Sequence, residues 1–108
     1  MKKNTRVEKG SGNVFADIGA RGAEEMLAKA QLAATITGII DDRGLSQTDA
    51  GKLLGIYQPK ESALYRGRLR EFSLERLMRF VTALNRDVRI VVDGTPRRRR
   101  GKVVIQAA

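Results

Sequence analysis

Tyr57, Gln58, Lys60, Ser62 and Arg66 lie within ten positions of one another and are side-chain types that read nucleic acid. A glutamine amide can pair with adenine, and a guanidinium can grip guanine or a phosphate. No comparable chemistry stands elsewhere in the chain. The 108 residues include no histidine and no cysteine. Disulfides, thiolate nucleophiles, imidazole acid–base catalysis and the usual zinc sites are therefore excluded. Asp41 and Asp42 resemble paired carboxylates, but adjacent helical residues diverge, and these read as solvating charges. No glycine-rich phosphate loop follows a strand. The chain reads as a binding protein rather than an enzyme, with no cofactor and no metal.

These side chains must be positioned by two short helices within LSQTDAGKLLGIYQPKESALYRGRL, residues 45–69. Ser46 is a suitable N-cap, with Asp49 at the third helical position among free N–H groups. Gly55 follows Leu53-Leu54 where the first helix must stop. Pro59 sets φ for a helix start and biases Gln58 away from helical geometry. The second helix is expected from Pro59 to about Arg66, with Gly67 ending it. Helix, three-residue turn, helix is the frame of a helix-turn-helix DNA reader. An αα-hairpin that binds nothing has the same outline, but the polar mixture on the second helix favours the reader.

The net charge is +9, and it is unevenly spread. Residues 1–40 carry six Lys/Arg against four Asp/Glu, whereas residues 41–108 carry fifteen against eight. Such a field draws polyanions to the second half of the chain. Apolar residues make up 42% and aromatics 5%, so a single core of Leu, Ile, Val and Ala is expected. No apolar run approaches the roughly 18 residues that span a bilayer, and MKKNTRVEKGSGN lacks the apolar stretch of a secretory signal. The cytoplasm is the expected location.

Three regions follow from the pattern. Residues 1–13 read as a flexible N-terminal arm, 14–92 as the DNA-binding domain with a C-terminal strand, and 93–108 as a basic tail holding a possible second strand. Val14 to Ile18 form a short apolar patch. Leu32, Ile36, Ile39 and Ile40 mark one face of a helix from Ala23 to Arg43, with Glu24 and Glu25 in its first turn, Arg43 in its last and Gly44 as its stop. Arg68-Leu69-Arg70-Glu71 forms a basic link, and Arg68 joins the DNA-facing set. Ser73 caps a last helix whose core face is Leu74, Leu77, Met78, Val81 and Leu84, with Phe72 and Leu77 as a hydrophobic staple. Val88, Ile90 and Val92 then alternate with Arg89 and Val91, a strand signal. Asp93 to Pro96 is turn-like, Arg97 to Arg100 is a basic run, and Val103 to Ile105 forms the possible second strand. An isolated hairpin is marginal in water, so pairing across a symmetric homodimer is expected.

The order SQTDAGKLLGIYQPKESALYRGR, FSLERLMRFVTAL, DVRIVV resembles the Xre/Cro-type helix-turn-helix proteins. Within them it is most similar to HigA-like antitoxins of toxin–antitoxin systems, over roughly residues 13 to 92. The resemblance implies a mainly α, lambda-repressor-like helical bundle, with the strand or hairpin at its C-terminal end, acting as a homodimer on a palindromic double-stranded DNA operator. It further implies repression of its own operon and neutralisation of a RelE-like, mRNA-cutting toxin. Carried over to this sequence, Gln47 heads the first motif helix and touches the phosphate backbone. Gln58 heads the recognition helix and reaches a base edge, while Lys60, Ser62 and Arg66 contact bases or backbone. Ala50, Leu54, Ile56 and Leu64 hold the two helices together. Two other readings share these residues: a stand-alone Xre-type repressor without a toxin, and a toxin-masking module with little DNA binding.

Two positions depart from the motif. Glu61 stands where a Val or Ile normally packs between the helices, and a buried unpaired carboxylate is costly. Either the helix turns to expose Glu61, or a cation such as Lys60, Lys52 or a nearby Arg meets it. Gly51 stands where an Ala is usual, at a cost of about 1 kcal/mol in helix propensity. The arginine run divides between a solvated tail and a sequence-independent phosphate clamp.

Overall fold

A computed structural model describes residues 19–107. The N-terminal arm and the Val14 to Ile18 patch lie outside the described residues. Four helices occur among those described: α1 Gly19–Asp42, α2 Gln47–Leu54, α3 Gln58–Tyr65 and α4 Leu74–Ala83.

The first helix is the scaffold. Ala28, Leu32, Ala33, Ile36, Ile39 and Ile40 are buried at steps of three and four, so one stripe faces the core. It packs chiefly against α4, which contributes Leu77, Phe80 and Val81, with Leu84 just beyond. Leu74 and Met78 are only partly buried, and Phe80 joins the core face in addition to the expected residues. Thr35 and Thr37 return their hydroxyl protons to the carbonyls of Gln31 and Ala34, which accommodates two weak helix formers.

The expected limits of α1 are corrected. The helix begins by Gly19 rather than Ala23, which places Glu24 and Glu25 in the second turn. Glu25 meets Lys29 at 3.3 Å one turn on, and Glu24 meets Arg100 at 3.6 Å. Arg43 lies beyond the helix, and its Nη1 donates to the Leu84 carbonyl at 3.3 Å. It thereby closes the end of α4 instead of its own helix.

Ser73 caps α4 by accepting from the Arg76 N–H at 3.0 Å. Phe72 and Leu77 are both fully buried, as a hydrophobic staple requires. Phe72 also meets Phe80 edge-on, with ring centroids 5.8 Å apart.

No strand forms among the described residues, so the expected strands at 88–92 and 103–105 are corrected to chain without regular secondary structure. Asp93 does make the turn: its Oδ1 accepts from the Thr95 N–H at 2.9 Å and its Oδ2 pairs with Arg97 at 3.1 Å. That turn does not bring the two segments into a ladder. A two-stranded ribbon gains too little in water by itself, and here an arginine run separates its halves. Ile105 instead packs against the helical core.

Candidate nucleic-acid interface

α2 and α3 are joined by Gly55, Ile56 and Tyr57. Ser46 Oγ accepts from the Asp49 N–H at 3.1 Å and caps α2. Gly55 takes φ 72°, and the Ile56 N–H bonds to the Gly51 carbonyl at 3.0 Å, which turns the chain sharply. Ile56 is buried and anchors the turn, while Tyr57 beside it is 74% exposed. α3 starts at Gln58, one residue before the expected Pro59, and ends at Tyr65. Gly67, at φ 76°, and Arg68 close its end by bonding to the carbonyls of Leu64 and Ala63. Ala50, Leu54, Ile56 and Leu64 are buried together and hold the helix pair in its crossing.

Of the expected contact residues, Gln47, Tyr57, Gln58, Arg66 and Arg68 are exposed. Gln47 opens α2 and Gln58 opens α3. Ser62 is half-buried. Lys60 is drawn elsewhere: its Nζ lies 2.9 Å from Glu71 Oε1 and 5.3 Å from the Phe72 ring centroid. The ammonium holds the Glu71 carboxyl below its ordinary range, chiefly through the hydrogen bond between them. A lysine bound in this way has less charge to offer a phosphate than its position suggests. Arg70 is exposed beside Arg68 and was not among the expected contacts. From Lys52 to Arg70 the sequence carries five cations and a single acid, the buried Glu61, so the exposed charge of this region is positive.

Glu61 is buried at 4% exposure, and neither expectation for it holds. The helix has not turned to expose it, and among the described residues no cation pairs with it. Its Oε2 instead accepts from the Tyr65 hydroxyl at 3.2 Å. Its Oε1 lies only 2.8 Å from where a Cβ on Gly51 would stand, too close for both. The two departures from the motif are therefore one feature: Gly51 clears the space that the Glu61 carboxylate occupies. No local sequence signal links the two residues, because they meet only through the crossing of α2 and α3.

The Tyr65 phenol is pushed up from 10.0 to about 12, first by burial and then by the charge and hydrogen bond of Glu61 and the charge of Asp41. The folded chain thus holds this proton more tightly than the unfolded chain. The associated stability is fully present below pH 10 and is lost as pH rises through about 12. The stability advantage of the natural chain over Tyr65→Phe is expected to shrink across that range. Urea titrations of both chains at a series of alkaline pH values check this, and parallel curves would count against it.

The arginine run is only partly available as a clamp. Arg97 pairs with Asp93, Arg100 lies 3.6 Å from Glu24, and Arg99 donates to the Arg100 carbonyl. No helix among the described residues is long and apolar enough to cross a membrane.

A family described as a helix-turn-helix domain matches residues 14–93. A solved structure named by family alone, an XRE family transcriptional regulator, is 44% identical. The match covers 81% of this chain and 99% of that one, with a TM-score of 0.74. No curated protein matches the sequence. The capped helix pair, its three-residue turn and these likenesses agree: the chain belongs to the Xre family of helix-turn-helix transcriptional regulators.

Proposed function

We propose that this chain is a sequence-specific repressor whose recognition helix α3 enters the major groove of an operator. The observation that carries this reading is the exposure of Tyr57 and Gln58 at the start of α3, flanked by Arg66 and Arg68. Gln58 reads a base edge and Tyr57 offers an aromatic face and a hydroxyl beside it. Gln47, at the start of α2, and Arg66 and Arg68, past the end of α3, hold phosphates. Ser62 adds a hydroxyl from the middle of α3. Lys60 contributes to backbone affinity only where DNA competes with Glu71 for its ammonium.

The partner of this surface is double-stranded DNA, and the chain acts on it as a homodimer. The exposed apolar run at 88–92 supports the dimer, because a lone chain leaves it in water. The resemblance read from the sequence alone, SQTDAGKLLGIYQPKESALYRGR, FSLERLMRFVTAL and DVRIVV, motivates the finer role of an antitoxin that represses its own operon and neutralises a RelE-like toxin. Co-expression with a RelE-like reading frame adjoining the gene tests that role: restored growth supports it, and continued toxicity overturns it.

The DNA-reading function is tested by binding the chain to its own upstream DNA and to a scrambled duplex across a salt series. The affinity for both is expected to fall with salt, because neutralised phosphates release counterions. The upstream duplex is expected to remain the tighter ligand throughout. Equal affinity for the two at every salt concentration would remove specific repression.

A further inference from the structure

Glu71 is the one exposed acid between Ala50 and Leu74, a stretch that also carries Lys52, Lys60, Arg66, Arg68 and Arg70. A carboxylate on a face that meets phosphates repels them unless a cation answers it. Here the cation comes from the recognition helix itself, with Lys60 Nζ 2.9 Å from Glu71 Oε1. We propose that Glu71 is a specificity-determining residue of this interface: it withholds the Lys60 ammonium from DNA and so removes one sequence-independent contact from the recognition helix. This rests on the DNA-reading function proposed above and concerns its discrimination between duplexes.

The geometry keeps the ammonium back. At about 100° per residue, Lys60 lies roughly 160° round α3 from Gln58 and from Ser62, so it stands outside the row that faces bases. Its Nζ lies 5.3 Å from the centroid of the Phe72 ring, which is itself 1% exposed. The Lys60 side chain is 26% exposed, whereas that of Glu71 is 68% exposed. The link that carries Glu71 does not depend on the ion pair for its place. Leu69 and Phe72 are buried in the core, and the Arg68 N–H bonds to the Ala63 carbonyl at 2.9 Å.

A free ammonium here would act unequally on different duplexes. Binding to scrambled DNA consists almost wholly of phosphate contacts, and any pose that adds one is favoured. On an operator the pose of α3 is fixed by the base edge that Gln58 reads. Lys60 must then find a phosphate from that single pose, on the side of the helix away from the reading row. One more cation therefore strengthens wrong complexes more than the right one, and Glu71 prevents this.

Two full-length variants test the proposal on the upstream and scrambled duplexes across a salt series. Glu71→Gln keeps the length of the side chain and removes its charge. It is expected to bind scrambled DNA on the order of tenfold more tightly at low salt, with a salt slope steeper by about one. The gain on the upstream duplex should be no more than about threefold. Lys60→Met/Glu71→Gln removes both charges, leaves the net charge at +9 and keeps an apolar stem beside Phe72. It is expected to match the natural chain on both duplexes within about twofold, with the same slope. An unchanged slope in Glu71→Gln overturns the proposal and leaves the pair as a staple for the link. A shallower slope in the double variant than in the natural chain also overturns it, because Lys60 would then already hold a phosphate. Equal tightening on both duplexes removes the discriminating role. Failure of the underlying DNA-reading function is distinct, since the natural chain itself would then bind both duplexes equally.

Discussion

Gly51→Ala is expected to melt at a lower temperature than the natural chain, whereas Gly51→Ala/Glu61→Val is expected to melt at a higher one. Alanine is the better helix former by about 1 kcal/mol, and propensity alone would favour the single substitution. The contact geometry opposes it. The new Cβ would stand 2.8 Å from Glu61 Oε1 and 3.0 Å from the Ile56 carbonyl oxygen. The first obstacle is the end of a side chain, but that side chain is 4% exposed and hydrogen-bonded to Tyr65, so it has little room to withdraw. The second is backbone, held in place by the turn. Overpacking of this kind costs about 1–3 kcal/mol, which exceeds the propensity gain over most of that range.

Replacing Glu61 by Val at the same time removes the first obstacle and the buried charge together. A buried carboxyl group with no cation beside it carries a desolvation cost that an apolar side chain does not. The methyl group introduced at position 51 then fills space that valine, shorter than glutamate, would leave empty at position 61. Glu61→Val alone should raise the melting temperature, but by less than the double variant, because of that space. Thermal denaturation of all four chains closes the cycle. Strict additivity would show that Gly51 and Glu61 do not share the space assigned to them, since neighbours in contact are expected to couple by about 0.5–3 kcal/mol.

Gln58→Ala is expected to lower affinity for the operator by roughly 10- to 100-fold while leaving scrambled DNA bound as before. That range corresponds to the roughly 1–3 kcal/mol of discrimination carried by a good bidentate pair between a side chain and a base. Gln58 is exposed at the first position of α3, so truncation should change folding stability little. The slope of affinity against salt should also hold, because an amide neutralises no phosphate. Arg66→Ala makes the contrasting case: affinity for both duplexes falls and the salt slope drops by about one. An equal loss on both duplexes in Gln58→Ala would sink the base-reading role and leave Gln58 as a backbone contact.

Much of the helical frame was legible because its signals act over a few residues. Ser46 and Ser73 reach the N–H groups three positions on, and each does so here. Gly55 and Gly67 are needed where the backbone enters the left-handed region, and both adopt it. The stripe from Leu32 to Ile40 was readable because a helix repeats its face every three or four residues. The strand signal at 88–92 was also local, but a ladder needs a second backbone, and one chain does not provide it.

The candidate surface was legible in type more than in partnership. Lys60 looked like a phosphate contact until Glu71, eleven residues on, came within 2.9 Å of it. The arginine run, which the sequence left divided between a solvated tail and a phosphate clamp, has Arg97 paired with Asp93 and Arg100 with Glu24. Alternation and charge counts do not encode such distances.

By itself, the sequence determined where each helix of the motif starts and stops to within a residue or so, which residues form most of the core, and that Tyr57, Gln58, Arg66 and Arg68 stand at the ends of the recognition helix. Caps, glycine turns and periodicity are properties of neighbouring residues, so they need no tertiary contact to be read. Only the tertiary structure decided which charges the protein spends on itself and how a carboxylate came to lie between two packed helices. Those outcomes depend on the crossing of α2 over α3 and on the return of the C-terminal segment over α1. Each sets groups far apart in sequence within a few ångströms, where burial and Coulomb attraction become strong enough to choose between partners.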